Sequence, residues 1–403
     1  MKVCLLAPEF LPNRGGVGTY SVDLSRELGR WVDLTVVTLT RADGTRPYTV
    51  AEMEAAVGGR ARVISISQAR DSFLYNFAFQ AAVLRRLPTM MRTEGFDVLH
   101  SQHAHMPDLL LRAAQSGLPV VRTIHTTIPG QSEAIHLAQR FGGALEASER
   151  WQVALQPGLR AAEWSLFRRG DWSITVSHWM KEQLIRDGLP PGRLSVIHNG
   201  VDSSRFTPAP PSEERGVPSR GRWVFFPGRP TLVKGGGVFA RAAPKILERV
   251  PQAVFVFAGG SVADLEKLLA TVSLPRENVR ILGFVPYEEL PSLYARMDVV
   301  VAPTFYENLP FRVLEAMASG VAVVASAVCG IPEAIQHGAN GWLVPPGEPG
   351  PLAEAVVRLL TDDELRGRLG AAGRRTMEEQ FTWRAAAQQT VDVYRSVLAS
   401  SAS

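Results

Sequence analysis

Short apolar runs alternate with amphipathic stretches along almost the whole chain. Val3–Ala7, Leu34–Thr38, Val63–Ser67, Val98–Ser101, Val120–Ile124 and Trp172–Val176 predict buried strands. Between most of them lie helical patterns such as Thr19–Gly29 and Met106–Ser116. A second series starts at Trp223–Pro227 and runs through Ala253–Ala258, Val279–Leu282, Asp298–Ala302 and Val321–Ala325. Strand and helix alternating in this way predict doubly wound parallel sheets, an α/β class. Residues 206–219 separate the two series with prolines, charges and small residues, the composition of a linker. The expected organisation is therefore residues 1–205, residues 206–381, and a last amphipathic helix in 382–403 that packs back toward the N-terminal domain.

Composition narrows the class. The 403 residues are 46% hydrophobic and 20% charged, enough apolar material for two cores. The two cysteines, Cys4 and Cys329, make no disulfide framework and suit a reducing compartment. The opening Met1–Pro8 reads as a strand, too short for the apolar region of a secretory leader. No apolar run approaches the length of a membrane span. A cytoplasmic protein is expected, and nothing in the chain points to nucleic acid. The net charge of +4 lies in the amino half, where residues 1–205 hold 23 Lys and Arg against 19 Asp and Glu; the remainder is balanced at 20 and 20. Residues 150–169 are basic and aromatic, with Trp151, Arg160, Trp164, Phe167, Arg168 and Arg169. Two readings stay open for this stretch: helices packed on their own domain, or a contact with an amphipathic acceptor or an anionic membrane face, which would make the protein peripheral at the inner membrane.

The residues with chemistry fall after strands. Glu307 lies in the loop after the strand 298–302, and Glu315 lies eight residues on, in a helix of small and apolar residues. Ligands of open α/β sheets bind at that edge, and two carboxylates there can accept bonds from sugar or ribose hydroxyls. Arg229 and Lys234 follow the first strand of the second series and precede a run of glycines; two such cations suit a diphosphate. The segment Asn13-Arg14-Gly15-Gly16-Val17-Gly18 opens the first helix, where glycines admit a ligand and backbone N–H groups favour an anion. It is neither a Walker loop nor a full dinucleotide fingerprint. His125 closes the strand 120–124 and can bond a sugar hydroxyl. His100, His103 and His105 cluster, but only Asp97 and Asp108 stand near enough in sequence to complete a ligand set, and no metal is expected. No Asp-x-Asp occurs, so the counter-charge for a nucleotide diphosphate should come from Arg229 and Lys234.

Taken in order, these motifs resemble the family 4 glycosyltransferases, retaining enzymes of the GT-B fold. The resemblance covers nearly the whole chain: Gly15-Gly16-Val17-Gly18, Thr123-Ile124-His125, Val196 to Asp202, Gly228-Arg229 with Lys234-Gly235, the Glu307/Glu315 block, Gly330-Ile331-Pro332-Glu333, and Asn340 to Pro345. It implies two Rossmann-like domains with parallel sheets facing a central cleft. It implies transfer of a hexosyl group from a UDP- or GDP-linked donor to a hydroxyl acceptor (saccharide, lipid or small polyol), with retained configuration and no required cofactor or metal. On that reading Arg229 and Lys234 hold the diphosphate, and Glu315 the ribose. Glu307 holds donor-sugar hydroxyls, assisted by the backbone of Asn308, Leu309, Pro310 and Phe311. His125 acts near the reacting centre. Gly15, Gly16 and Asn199 belong to the donor site, and the loop with Phe284 and Val285 receives the base.

Two departures from the family pattern stand out. Leu309-Pro310 replaces a common Phe-Gly, and proline removes one backbone donor. Pro230 and Thr231 alter the loop after Arg229. Two other readings compete: an epimerase on a similar architecture, and a non-catalytic nucleotide-sugar binder.

Overall fold

The structure is a computed structural model that describes residues 1–11, 15–41, 48–69, 75–103, 117–140, 172–208 and 222–401, with short pieces at 153–154, 156–158, 160–161 and 163–164. It divides into two compact units. The first comprises Met1–Pro129, Leu155–Asn199 and Trp383–Ser403; the second comprises Gly130–Ala154 and Gly200–Thr382.

In the first unit, seven strands form one sheet: β1 (Lys2–Leu6), β2 (Asp33–Arg41), β3 (Ala61–Ala69), β4 (Val98–His103), β5 (Val120–Ile124), β6 (Trp172–Thr175) and β7 (Leu194–Val196). Their order is β3-β2-β1-β4-β5-β6-β7, and every pair is parallel. Such strands are covered on both faces, which is why they read as continuous apolar runs; all five residues of β5 are buried. One face packs Cys4, Leu6, Val37 and Leu99 against Phe79, Val83 and Leu87 of the helix Tyr75–Glu94.

The second unit repeats the plan with β8 (Arg222–Pro227), β9 (Ala253–Ala258), β10 (Val279–Gly283), β11 (Val299–Ala302), β12 (Ala322–Ser326) and β13 (Trp342–Val344). The order is β10-β9-β8-β11-β12-β13, again all parallel. Its core centres on Phe226, Phe239, Phe255 and Phe257, with ring centroids 5.2–6.0 Å apart. All four are fully buried, and truncating one to alanine costs about 3–5 kcal/mol.

The first long strand series and the second were both legible. β7 and β13 are additions, each three residues long and too brief for a periodicity. The domain limits shift as well. The second unit starts at Gly200 rather than near 206 because the chain after Asn199 is tied to it: the Val201 N–H donates to the Phe381 carbonyl, and Arg374 donates to the carbonyls of Ser203 and Phe206. The Phe206 ring also meets Tyr287 and Tyr294 edge-on. Gly130–Ala154 joins the second unit too. Ala138 lies in that unit's core, and a Cβ on Gly130 would stand 2.5 Å from the Tyr306 hydroxyl. The C-terminal helix Trp383–Ser401 belongs to the first unit, where Trp383 meets Tyr20 edge-on at 5.5 Å.

The helix expected over 106–116, the linker from 209 on, and Asn13, Arg14, Trp151, Phe167, Arg168 and Arg169 lie outside the described residues. Arg160 is exposed and Trp164 half-buried. Beside them Glu163 is buried and accepts the Ile128 N–H. Among the described residues, no helix is long and apolar enough to cross a membrane.

Candidate functional site

β8 and β11 are neighbours in the second sheet, and the strand order turns away in opposite directions on either side of them. Their carboxyl ends thus form a topological switch point, where doubly wound sheets bind ligands. The loop after β8 leads to the helix Gly236–Leu247, and the loop after β11 leads to the helix Phe311–Ala318. The two loops are stitched together. The Thr304 hydroxyl and the Phe305 N–H both donate to the Val233 carbonyl, at 2.9 and 2.8 Å. Gly235 sits at φ +75°, and a Cβ there would stand 1.8 Å from the Pro303 carbonyl oxygen. Any other residue would force the loops apart.

This stitching brings Lys234 Nζ onto Glu307 Oε1. The other carboxylate oxygen, Oε2, is taken at 2.5 Å by Nη2 of Arg312, from the first turn of the following helix. Arg312 is 8% exposed. Its Nη1 donates to the Pro227 carbonyl at 3.4 Å, and the guanidinium lies 5.9 Å from the centroid of the Phe226 ring. Arg229 is exposed on the same loop as Lys234 and makes no hydrogen bond or ion pair among the described residues. Two cations therefore flank one carboxylate, and a third, Arg229, acts on Lys234. Burial works to raise the Glu307 pKa, but Arg312 and Lys234 outweigh it and hold the carboxyl below its ordinary range. Burial pulls the Lys234 ammonium below its usual value; Glu307 opposes this, and Arg312 and Arg229 reinforce it.

Glu315 lies one helical turn deeper and is buried. The Tyr294 hydroxyl donates to its Oε2 at 3.1 Å, and burial together with Glu315 holds that phenol well above its usual pKa. Asn308 and Leu309 are buried, Pro310 is the N-cap of the helix, and Phe311 is half-buried. Pro310 still serves the helix through its carbonyl, which accepts from the Val313 N–H at 3.1 Å. Cys329 adjoins this loop at φ +50° and receives the Glu307 N–H on its sulfur; burial pushes its thiol up to about 12. Beyond β10, Phe284 is 78% exposed and Val285 half-buried, so an aromatic face stands open at the same edge of the sheet.

In the first unit, His125 follows β5, as its position after an apolar run implied. Its Nε2 donates to Gln102 Oε1 at 2.7 Å, and the Tyr20 ring meets it edge-on at 4.6 Å. Behind it His100 is fully buried between Tyr394, 2.6 Å from Nδ1, and Thr123, 2.7 Å from Nε2. Gln102 Nε2 lies 3.4 Å from the same His100 nitrogen. Burial lowers the His100 pKa to about 3, so the ring is neutral. His100 is thus a structural histidine; the side chain of His103 and all of His105 lie outside the described residues. Gly15 is the N-cap of the helix Gly16–Leu28, and a Cβ on Gly16 would meet nothing within 4 Å, so packing does not demand glycine there. Asn199 is buried at the end of the first unit.

The structure thus joins Lys234 and Glu307 directly, puts Arg229 beside them, and sets Glu315 on the neighbouring helix. Sequence reasoning passed over Arg312, Tyr294 and Gln102. The available signal for Arg312 was a lone cation in the otherwise apolar first turn of the helix Phe311–Ala318.

Comparison with known proteins agrees with this architecture. Residues 14–205 match the model for Glycosyltransferase Family 4, and residues 212–376 match that for Glycosyl transferases group 1. An uncharacterized glycosyltransferase of Methanocaldococcus jannaschii is 30% identical over 98% of both chains. A D-inositol 3-phosphate glycosyltransferase of Frankia alni is 31% identical over 96% of both. The chain belongs to the family 4 glycosyltransferases. Among solved structures, HepE of Anabaena, in complex with UDP and glucose, superposes on this glycosyltransferase with a TM-score of 0.72 over 98% of the chain and 100% of its own, at 20% identity. That likeness supports the GT-B fold, here two parallel-sheet Rossmann-like units.

Proposed function

We propose that this glycosyltransferase moves a hexosyl group from a UDP- or GDP-linked donor to a hydroxyl acceptor, with retained configuration and without a metal ion. The observation that carries the reading is the cation set at the β8/β11 edge. Lys234 and Arg312 pair with Glu307, and Arg229 on the loop of Lys234 adds a third cation, two charges more than that carboxylate offsets. That surplus suits a diphosphate and can supply the counter-charge a metal would otherwise provide. Glu315, on the same helix as Arg312, is the candidate for ribose. The open face of Phe284 suits a base. HepE, solved with UDP and glucose, supports UDP as the nucleotide. The inositol 3-phosphate glycosyltransferases among the relatives support a small phosphorylated polyol as acceptor.

The chemistry then rests on charge. Glu307 is engaged by two cations, which makes it a poor nucleophile and a good fixed acceptor for sugar hydroxyls. As the bond to the leaving phosphate breaks, negative charge grows on the diphosphate, where Arg229 and Lys234 stabilise it. The leaving oxygen can take the acceptor's proton as the acceptor attacks from the same face. Incubation with UDP-glucose, UDP-galactose, UDP-N-acetylglucosamine and GDP-mannose, with and without inositol 3-phosphate, tests the reading. Release of UDP or GDP that persists in EDTA, with a product of retained configuration by NMR, is expected. Inverted product, or activity only with added metal, would overturn the mechanism. Donor epimerised without release of nucleotide would overturn the transfer itself.

A further inference from the structure

Lys234 has two competing duties on the donor reading: it pairs with Glu307 in the donor-free protein, and it serves the diphosphate when donor binds. A buried carboxylate that loses its only partner is costly. Arg312 resolves the conflict. We propose that Arg312 is a positioning residue whose guanidinium permanently neutralises Glu307, releasing Lys234 to the diphosphate while Glu307 stays ionised and aimed at the donor sugar. This rests on the donor reading above.

The two cations differ in the ways this exchange requires. Arg312 is fixed: it is 8% exposed, stands in the first turn of a helix, lies along Phe226 and donates to the Pro227 carbonyl. Among the described residues its Nε has no hydrogen-bond partner, so Nη1 and Nη2 hold the group. A guanidinium also keeps its proton at any working pH. Lys234 is freer, with a side chain 29% exposed on a flexible stem just before Gly235. With Arg312 assigned to Glu307, Arg229 and Lys234 remain as two uncompensated cations, one for each phosphate. Without Arg312, Glu307 would claim Lys234 and leave only one.

Calorimetric titration of UDP and GDP into wild type, Arg312→Leu, Glu307→Gln and the double variant tests the exchange. The nucleotide that wild type prefers should bind Arg312→Leu about tenfold more weakly, within the range for coupled neighbours. Adding Glu307→Gln to Arg312→Leu should restore the affinity, because no carboxylate then competes for Lys234. A merely structural role for Arg312 would not produce that rescue. Wild-type affinity in folded Arg312→Leu, or a loss that Glu307→Gln leaves unrestored, would overturn this proposal and leave the donor reading standing. Failure of wild type to bind either diphosphate would overturn both. Should the leucine variant not fold, Arg312→Gln carries the same comparison with a polar side chain.

Discussion

Both sheets end in a largely buried polar construction, and the two are built on opposite principles. In the first unit Tyr394, His100, Thr123, Gln102 and His125 are joined by hydrogen bonds between groups of which His100 at least is neutral. In the second, Glu307 is held by Lys234 and Arg312 through charge. A neutral network is specified by matching donors with acceptors and gains from low dielectric when every member is satisfied. An ionic cluster pays to leave water and must recover that cost by pairing. On the donor reading, the surplus of positive charge in the second faces an anionic diphosphate. The first unit is therefore suited to orienting a side chain, and the second to binding and stabilising charge.

The largest break in this comparison should come from the ionic side. Lys234→Ala removes a charge that the proposed mechanism needs at the leaving diphosphate, and should lower kcat/KM by about a hundredfold or more. The fold should survive, because Arg312 still pairs with Glu307. Steady-state assays with the best donor, together with a thermal melt, check this; near-normal turnover in a folded variant would remove Lys234 from the diphosphate.

Acid separates the two constructions. The unfolded-state pKa of His100 is near 6.5 and its folded value is about 3, so the unfolded chain binds the extra proton between them. Stability is then fully present above pH 6.5 and falls as pH drops toward 3, at up to about 1.4 kcal/mol per unit. From pH 7.5 to 5 the loss from this residue should be on the order of 2 kcal/mol. Glu307 has a depressed pKa, so its contribution is present above its ordinary 4.5 and fades only below it. Between pH 7.5 and 5 the His100 contribution changes while the Glu307 contribution does not. Urea unfolding across that window should show a flatter slope for His100→Gln than for wild type. Parallel slopes would mean that His100 does not carry the acid sensitivity.

The sequence revealed the ionic side better than the neutral one, for a physical reason. Glu307, Lys234 and Arg229 sit in loops just after apolar runs, and a charge in that position is conspicuous. The placement of Glu307 in a loop and Glu315 on the next helix follows from the strand that precedes them. Arg312 was harder to see, because it stands on a helix whose other residues, Glu315 apart, are apolar, and its partner lies five positions back, off the helix. His100 could be noticed only as one histidine among three. What fixes it is Tyr394, 294 residues away, and no local periodicity encodes that pairing. The linker hid the true division for the same reason: the bonds that assign 200–206 to the second unit come from Phe381 and Arg374.

The smallest effect sharpens the comparison from the C-terminal helix. Tyr394→Phe keeps the ring, and with it the edge-on packing against His100 at 5.6 Å, and deletes only the hydroxyl. It should cost about 1–2 kcal/mol, the range for leaving one buried polar group without its partner. Nucleoside diphosphate affinity should not change, since that reading draws on groups of the second unit. Transfer should fall modestly and through kcat rather than KM: a His100 no longer held at Nδ1 constrains Gln102 less, and Gln102 holds His125. Chemical denaturation, calorimetry with UDP and GDP, and separate kcat and KM values distinguish the outcomes. A drop in diphosphate affinity equal to the drop in turnover would mean that the neutral network and the ion cluster do not act separately.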